Sequence, residues 1–177
     1  MFCVVVNTGY CRVMKLQKSG NAVAPRPGEV VIDLPASADA EVYFIGRIRT
    51  PFATRADCPK NGRKSTAEAT IELDPRFADG LLDIERCSHL IVLYWMDEAR
   101  RDLIRQVPGH PGKPRGTFAL RSPVRPNPIA LSVVELLKVD GLRLTIRYID
   151  CRDGTPLIDI KPYFATTDSI PDAQRPE

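Results

Sequence analysis

The stretch VVELLKVDGLRLTIRYI, from Val133 to Ile149, decides the fold. Two runs, Val133–Val139 and Leu142–Ile149, flank the pair Asp140-Gly141, which has the composition that a two-residue type I′ turn requires. In the second run, apolar residues alternate with arginine and threonine, so we expect one buried face and one solvated face. The stretch is therefore predicted to form an antiparallel β-hairpin.

Strand signals continue on both sides of the hairpin. The other segments rich in β-branched, aromatic or alternating apolar residues are Cys3–Val6, Val30–Leu34, Glu41–Arg49, Ala69–Leu73, His89–Met96 and Leu157–Lys161. Several of them stop at or next to a proline, as strands often do. His89–Met96 is continuously apolar and too short for a buried helix, so we interpret it as a central strand.

Two segments carry helix signals. Asp97–Gln106 has its acids first and its arginines later, the charge order that the helix dipole favours. Pro75–Leu82 has Asp74 as a candidate N-cap and a proline at the first helical position. With many strands and few helices, the chain is predicted to be mainly β (α+β), with an antiparallel barrel-like or sandwich core and a few short helices.

The order of these segments also bears on domain organisation. No Gly-x-Gly-x-x-Gly motif follows a strand, and strands and helices do not alternate, so a doubly wound Rossmann domain is disfavoured. Residues 1–40 include the non-periodic stretch Lys15–Gly28 and are expected to be an N-terminal extension. We predict a barrel domain over residues 41–167 and a polar tail over 168–177.

Composition narrows the class of protein. The 177 residues carry a net charge of +3, and 44% are hydrophobic, which is typical of a soluble globular protein. No apolar run approaches the roughly 20 residues that span a bilayer, and the N-terminus lacks the basic region of a signal peptide. The five cysteines form no Cys-x-x-Cys pair, and there are only two histidines. We therefore expect reduced thiols, no metal and a cytoplasmic location.

Positive charge is concentrated in one region. Between Asp97 and Arg125, seven lysines and arginines stand against three acids. Such a region could contact phosphate, with Arg100 and Arg105 as the main RNA-binding candidates. A solvated surface is an equally acceptable interpretation.

Two loops have the composition of ligand-binding segments. Pro108–Pro128 contains six prolines and the polar run Arg121–Asn127, so it is a stiff loop suited to a carboxylate, ribose or phosphate. Asp153–Pro156 is predicted to be a tight turn, followed by Asp159, Lys161 and Tyr163. The alternatives are a plain surface connection for the first loop and a surface ion pair for the second.

Four motifs resemble one known family. They are IGRIRTPF (Ile45–Phe52), SHLIVL (Ser88–Leu93), RSPVRPNPI (Arg121–Ile129) and DGTPLIDIKPY (Asp153–Tyr163). Their order and composition closely resemble the TsaA-like (YaeB/TrmO) family. The resemblance implies a non-Rossmann β-barrel methyltransferase that uses S-adenosylmethionine and works as a homodimer with the cofactor near the subunit interface. The best-known activity of the family methylates N6 of a threonylcarbamoyl-modified adenosine beside the anticodon of a tRNA.

The resemblance also implies a cofactor site. Carried over by motif, its residues are Pro59, Lys60, Asn61, Met96, Asp97, Arg121, Leu131, Asp153, Gly154, Thr155 and Pro156. No catalytic residue is assigned, although Asp153, Asp159 and Tyr163 are candidates by location.

The sequence departs from the tRNA-modifying members at two site positions. Pro59-Lys60-Asn61 and Met96-Asp97 replace their usual patterns, and the further C-terminal domain that they carry is not expected after residue 177. The acceptor is therefore open among three hypotheses: tRNA adenosine, another small-molecule or nucleic-acid acceptor, or none, in a non-catalytic S-adenosylmethionine-binding protein.

Overall fold

The computed structural model describes residues 24–109 and 112–174. In this part of the chain the strands are β1 (Val30–Val31), β2 (Gly46–Arg49), β3 (Glu68–Leu73), β4 (His89–Trp95), β5 (Leu103–Gln106), β6 (Arg115–Gly116), β7 (Ile129–Asp140), β8 (Arg143–Arg147) and β9 (Thr155–Pro162). The 3₁₀ helices are Gly62–Lys64, Pro75–Leu81, Ile84–Arg86 and Thr117–Ala119, and one α-helical turn, α1, covers Ala165–Asp168. The strand expected at Cys3–Val6 lies outside the described residues.

Six strands close into an antiparallel barrel in the order β2-β3-β8-β7-β4-β9. This architecture confirms the predicted fold class. The predicted hairpin is β7 and β8, but Asp140 pairs with Arg143, so the turn consists of Gly141 and Leu142 and lies one residue later than expected. Gly141 has φ +57°, a conformation that glycine adopts without steric cost.

The barrel interior is filled by alternate residues of each strand. On β4, Leu90, Val92 and Tyr94 are buried, while the residues between them are partly exposed on the outside. They pack with a core that includes Ile71 and Leu144, both fully buried. The predicted central strand is therefore correct, with an apolar outer face as well as an apolar inner one.

One predicted helix is wrong. Asp97–Gln106 is a turn followed by β5, which pairs with β1 on one side and β6 on the other. Leu103 and Gln106 are buried in this small second sheet. The order of charges along one segment is worth only a fraction of a kcal/mol per side chain, and backbone pairing on both edges outweighs it.

Other predicted boundaries change in detail. Of Glu41–Arg49 only Gly46–Arg49 forms a strand, although the Ile45 amide still donates to the Leu157 carbonyl at 2.9 Å. The 3₁₀ helix Pro75–Leu81 has the predicted cap, because the Asp74 carboxylate accepts from the Arg76 amide at 2.9 Å.

In the described residues, no helix has the length and apolar character that crossing a membrane would require.

The strand registers define one end of the barrel, which we call the mouth. Arg49 ends β2 and Trp95 ends β4 there, and Ile129 and Thr155 begin β7 and β9 at the same end. Because neighbouring strands are antiparallel, the connections β2–β3 and β8–β9, the start of β7 and the segment after β4 all meet at the mouth.

Candidate functional site at the barrel mouth

The structure brings all four predicted site segments to the mouth. Pro59–Asn61 lies in the β2–β3 connection and Met96-Asp97 follows β4. Arg121 and Leu131 lie on either side of the start of β7, and Asp153–Pro156 spans the end of the β8–β9 connection and the first two residues of β9. Segments almost a hundred residues apart in sequence thus surround one opening.

The Asp153–Pro156 turn is firmly held by the end of β2. The Gly154 amide donates to the Ile48 carbonyl at 2.9 Å, and Arg47 Nη1 donates to the Gly154 carbonyl at 2.8 Å. The Asp153 carboxylate accepts from the Thr50 amide at 3.1 Å. Thr155 is only 6% exposed, so this turn offers a ligand mainly backbone groups and the exposed edge of Asp153.

Met96 and Asp97 are fixed against two neighbouring segments. The Met96 amide donates to the Pro128 carbonyl at 2.9 Å. Glu98, next in the chain, forms an ion pair with Arg152 at 2.6 Å, which ties this turn to the β8–β9 connection. The Asp97 side chain remains exposed, so its carboxylate is available at the mouth.

The proline-rich loop owes its shape to a guanidinium. Arg125 Nε donates to the Ser122 carbonyl at 2.8 Å, and its Nη2 donates to the Leu120 carbonyl. The sequence suggested both Arg121 and Arg125 as ligand-binding groups, but Arg125 is engaged with its own loop. Arg121 instead donates to the Leu131 carbonyl at 2.8 Å and is otherwise exposed.

A buried polar pair anchors this loop to the small sheet. Thr117 Oγ1 donates to the Leu103 carbonyl at 2.9 Å and accepts from Gln106 Nε2 at 2.8 Å. The same Gln106 amide also donates to the Val124 carbonyl. Sequence reasoning missed both residues, because Gln106 was assigned to a helix and nothing local signals a buried amide.

Below the mouth, three polar groups form a second network that the sequence did not reveal. The Tyr94 hydroxyl donates to Asp150 Oδ1 at 2.9 Å and lies 3.0 Å from Ser132 Oγ. Burial, followed by the Asp150 charge, raises the pKa of Tyr94 above its ordinary value. The phenol is therefore neutral and serves as a donor that fixes Asp150. A tyrosine at the inward end of an apolar strand was the available clue.

Burial keeps two thiols near this network protonated. Cys151 is fully buried, and burial raises the pKa of its thiol to about 12. Burial and the neighbouring Asp150 also raise the pKa of the Cys58 thiol. Both thiols are therefore protonated at neutral pH, and neither has the thiolate character that nucleophilic chemistry needs.

One of the three side chains in Pro59–Asn61 has a structural role. Asn61 Oδ1 accepts from the Arg63 amide at 2.9 Å and caps the 3₁₀ helix Gly62–Lys64. Pro59 is half-buried, and Lys60 is exposed. Of these three side chains, Lys60 is the one left free to reach a ligand.

Three other residues that the sequence singled out, Asp159, Lys161 and Tyr163, are not at the mouth. Asp159 and Lys161 form the surface ion pair given above as an alternative, at 2.5 Å. Tyr163 packs near His89, with ring centroids 6.4 Å apart. It lies roughly 26 Å along β9 from Thr155, at about 3.3 Å per residue. A cavity of about 170 Å³ at that opposite end, lined by Leu82, Cys87 and Ile160 among others, contains no predicted cofactor residue.

Two arginines of the predicted RNA-binding region are engaged in contacts within the protein. Arg100 forms an ion pair with Asp102 at 2.5 Å, and Arg101 lies over the Trp95 ring while donating to the Pro126 carbonyl at 2.6 Å.

Among the described residues, no group of three or more histidine, cysteine, aspartate or glutamate side chains is placed to hold a metal ion.

The fold and the mouth define a class of protein: a closed antiparallel barrel that gathers its ligand-binding segments at one end, without the Rossmann scaffold. Residues 47–169 match the family model of the tRNA-methyltransferase O N-terminal domain. The chain therefore belongs to this family, as the four sequence motifs predicted.

Known proteins of similar sequence also point to this family. The chain is 51% identical over 130 residues to a probable S-adenosyl-L-methionine-binding protein of Archaeoglobus fulgidus, covering 73% of this chain and 36% of that protein. A second protein of that organism, an S-adenosyl-L-methionine-binding protein, is 49% identical over 126 residues, covering 71% of this chain and 91% of the relative. The tRNA (adenine(37)-N6)-methyltransferase of Escherichia coli is 38% identical over 141 residues, covering 73% of this chain and 60% of the enzyme.

A solved structure agrees with the fold. The crystal structure of TrmO from P. aeruginosa superposes with a TM-score of 0.67 at 34% identity, covering 79% of this chain and 62% of that chain. The chain thus spans about a third of the first relative and about three fifths of the tRNA enzymes.

Proposed function

We propose that this chain binds S-adenosylmethionine at the barrel mouth and transfers its methyl group to N6 of an adenosine beside the anticodon of a tRNA. The observation that carries the proposal is the meeting of the four predicted cofactor-site segments at one end of the barrel. Relatives named as S-adenosylmethionine-binding proteins and as a tRNA adenine-N6 methyltransferase support the cofactor and the acceptor.

The side chains at the mouth suit this cofactor chemically. Leu131 is 43% exposed and offers apolar surface for an adenine ring. Arg121 and Lys60 suit a carboxylate, and the exposed carboxylates of Asp97 and Asp153 suit ribose hydroxyls and a cationic centre. The proposed cofactor residues remain those that the family motifs indicate, with Thr155 and Pro156 contributing through their backbone.

When bound, S-adenosylmethionine supplies an electrophilic methyl group on a positively charged sulfur. The protein's part is to position the acceptor and to exclude water. If the acceptor is a threonylcarbamoyl-modified adenosine, its N6 lone pair is delocalised into the carbonyl, so a proton acceptor at the mouth would assist. Of the three sequence candidates, Asp153 lies there. Its carboxylate is already shared with Thr50 and Arg49, so its proposed part is to hold the turn and accept from ligand hydroxyls.

We also propose a homodimer with the cofactor near its interface. Three apolar side chains are exposed in the proline-rich loop and at the start of β7: Phe118 (82%), Ile129 (42%) and Leu131 (43%). Covering such apolar side chains with a second copy would stabilise the dimer through the hydrophobic effect. As a tRNA-modifying protein it would meet its substrate in the cytoplasm. Sedimentation equilibrium tests the dimer, and Leu131→Glu is expected to shift it to monomer.

The function is tested by two measurements on the whole chain. Calorimetry with S-adenosylmethionine is expected to show binding, and labelled methyl is expected to pass to tRNA that carries the threonylcarbamoyl group. Transfer confined to tRNA lacking that group would contradict the proposed acceptor. Binding without transfer to any tRNA would favour a non-catalytic binding protein or another acceptor, and absence of binding would reject the proposal.

A further inference from the structure

The β2–β3 connection carries a concentration of positive charge at the mouth. Between Thr50 and Ala67 it contains four cations, Arg55, Lys60, Arg63 and Lys64, against the single acid Asp57. All four cationic residues are exposed. We call residues 54–64 the basic loop.

The acid of the basic loop does not pair with these cations. The Asp57 carboxylate accepts from both the amide and the hydroxyl of Thr54 at 2.8 Å. These hydrogen bonds lower the pKa of Asp57. The acid therefore shapes the turn at the start of the loop and leaves the positive charge to face solvent.

The loop is pinned to the barrel at its other end. Gly62 is buried so closely against β8's continuation that a Cβ there would lie 2.1 Å from the Tyr148 carbonyl oxygen. Arg63 covers the Tyr148 ring at 4.6 Å from its centroid. A loop whose backbone is already held loses less conformational entropy on binding a ligand.

Three of the four cations are unpaired, which sets this loop apart from nearby arginines. Arg49 and Arg143 share Glu72, and Arg147 pairs with Glu68 at 2.9 Å. Within residues 24–109 and 112–174, by contrast, the side chains of Arg55, Lys60 and Lys64 form no hydrogen bond or ion pair. Free, exposed cations beside a mouth are suited to contact phosphates, whereas cations already paired with carboxylates are not.

We propose that the basic loop contacts the RNA phosphate backbone next to the acceptor nucleotide. This inference rests on the proposed function, because the loop borders the same mouth at which the adenosine would be methylated. It assigns phosphate binding to Arg55 and Lys64, with Lys60 shared between the cofactor and the RNA. The sequence suggested Arg100 and Arg105 instead. Arg100 is paired with Asp102, and Arg105 lies exposed on β5.

The test is the salt dependence of tRNA binding in a double variant, Arg55→Gln with Lys64→Gln. Each lost phosphate contact is expected to reduce the slope of log affinity against log salt by about 0.7–0.9, so the pair should reduce it by roughly 1.4–1.8. The control is Arg86→Gln with Lys138→Gln, which removes the same charge at the opposite barrel end, where both side chains are exposed. It is expected to leave the slope within about 0.3 of that of the unaltered chain.

Three outcomes would overturn the inference. The first is an unchanged slope in Arg55→Gln/Lys64→Gln while methyl transfer to tRNA persists; the proposed function would then stand. The second is that Arg55→Gln/Lys64→Gln loses binding to phosphatidylserine vesicles while its tRNA binding is undiminished. This result would assign the loop to an anionic membrane surface. In the third, the unaltered chain binds S-adenosylmethionine but neither binds nor methylates tRNA, and the proposed acceptor fails as well.

Discussion

Arg121 and Leu131 contact each other across the start of β7, where the arginine Nη2 donates to the leucine carbonyl at 2.8 Å. The two residues came from separate positions of the family motif, and the structure makes them neighbours. One of five guanidinium N–H groups is used in this bond. The other four remain for a ligand, because no described carboxylate lies within ion-pair distance of Arg121.

Replacing Arg121 tests the cofactor site. Arg121→Ala is expected to weaken S-adenosylmethionine binding by about 1–3 kcal/mol, since a charge-assisted contact is lost, which is about 5- to 150-fold in Kd. The affinity of Arg121→Lys should lie between those of the unaltered chain and of Arg121→Ala, because lysine keeps the charge but lacks the planar guanidinium. Calorimetry measures each, with the exposed Arg86→Ala as control. Equal affinity in Arg121→Ala and the control would show that this guanidinium does not contact the cofactor.

The buried network of Tyr94 is expected to support stability. Tyr94→Phe removes the donor to the half-buried Asp150 carboxylate, and losing a hydrogen bond to a charged group costs about 1–3 kcal/mol of unfolding free energy. Urea unfolding measures the loss. Ser132→Ala should cost less, because the Tyr94–Asp150 bond survives it. A Tyr94→Phe variant as stable as the unaltered chain would mean that water reaches Asp150 from the mouth.

Thr117 is expected to control the order of the proline-rich loop. Thr117→Val keeps the side-chain volume but deprives the Leu103 carbonyl and the Gln106 amide of their shared partner, at a cost of about 1–3 kcal/mol. Limited proteolysis should then cut the loop faster, since its anchor is weakened. The exposed Thr66→Val serves as control. Identical cleavage rates in the two variants would argue that the prolines alone hold the loop.

Acid should weaken the attachment of residues 26–31 to the small sheet. Hydrogen bonds from the Arg26 side chain and amide lower the pKa of Glu29 to about 2. Because this pKa is below the unfolded value of about 4.3, Glu29 stabilises the fold above that pH, and the contribution is lost as the pH falls toward 2. The stability difference from Glu29→Gln, measured in urea, should therefore be largest above about pH 5 and shrink below it. A difference constant between about pH 6 and 3 would contradict this linkage.

Local pattern was enough to predict the hairpin, the central strand and the Asp74 cap, since each depends on residues within a few positions. It failed at β5, where the decisive partners, β1 and β6, lie elsewhere in the chain. The Tyr94–Asp150 and Gln106–Thr117 bonds join residues 56 and 11 positions apart, and no spacing rule reveals such pairs. Family motifs located the mouth segments, yet they could not show that Arg125 serves its own loop. The predicted domain boundaries stay a prediction.

The closing strand has a consequence for how the protein is made. β9 completes the barrel by pairing with β2 and β4, and it joins Leu157 to Gly46. Contacts between such distant residues form slowly, because a long loop must close first. A ribosome-bound chain that has not yet released β9 would carry two open strand edges, which invite aggregation. Ligand binding at the mouth therefore becomes possible only after β9 has left the ribosome, and a chaperone that shields β2 and β4 until then would raise the yield of folded protein.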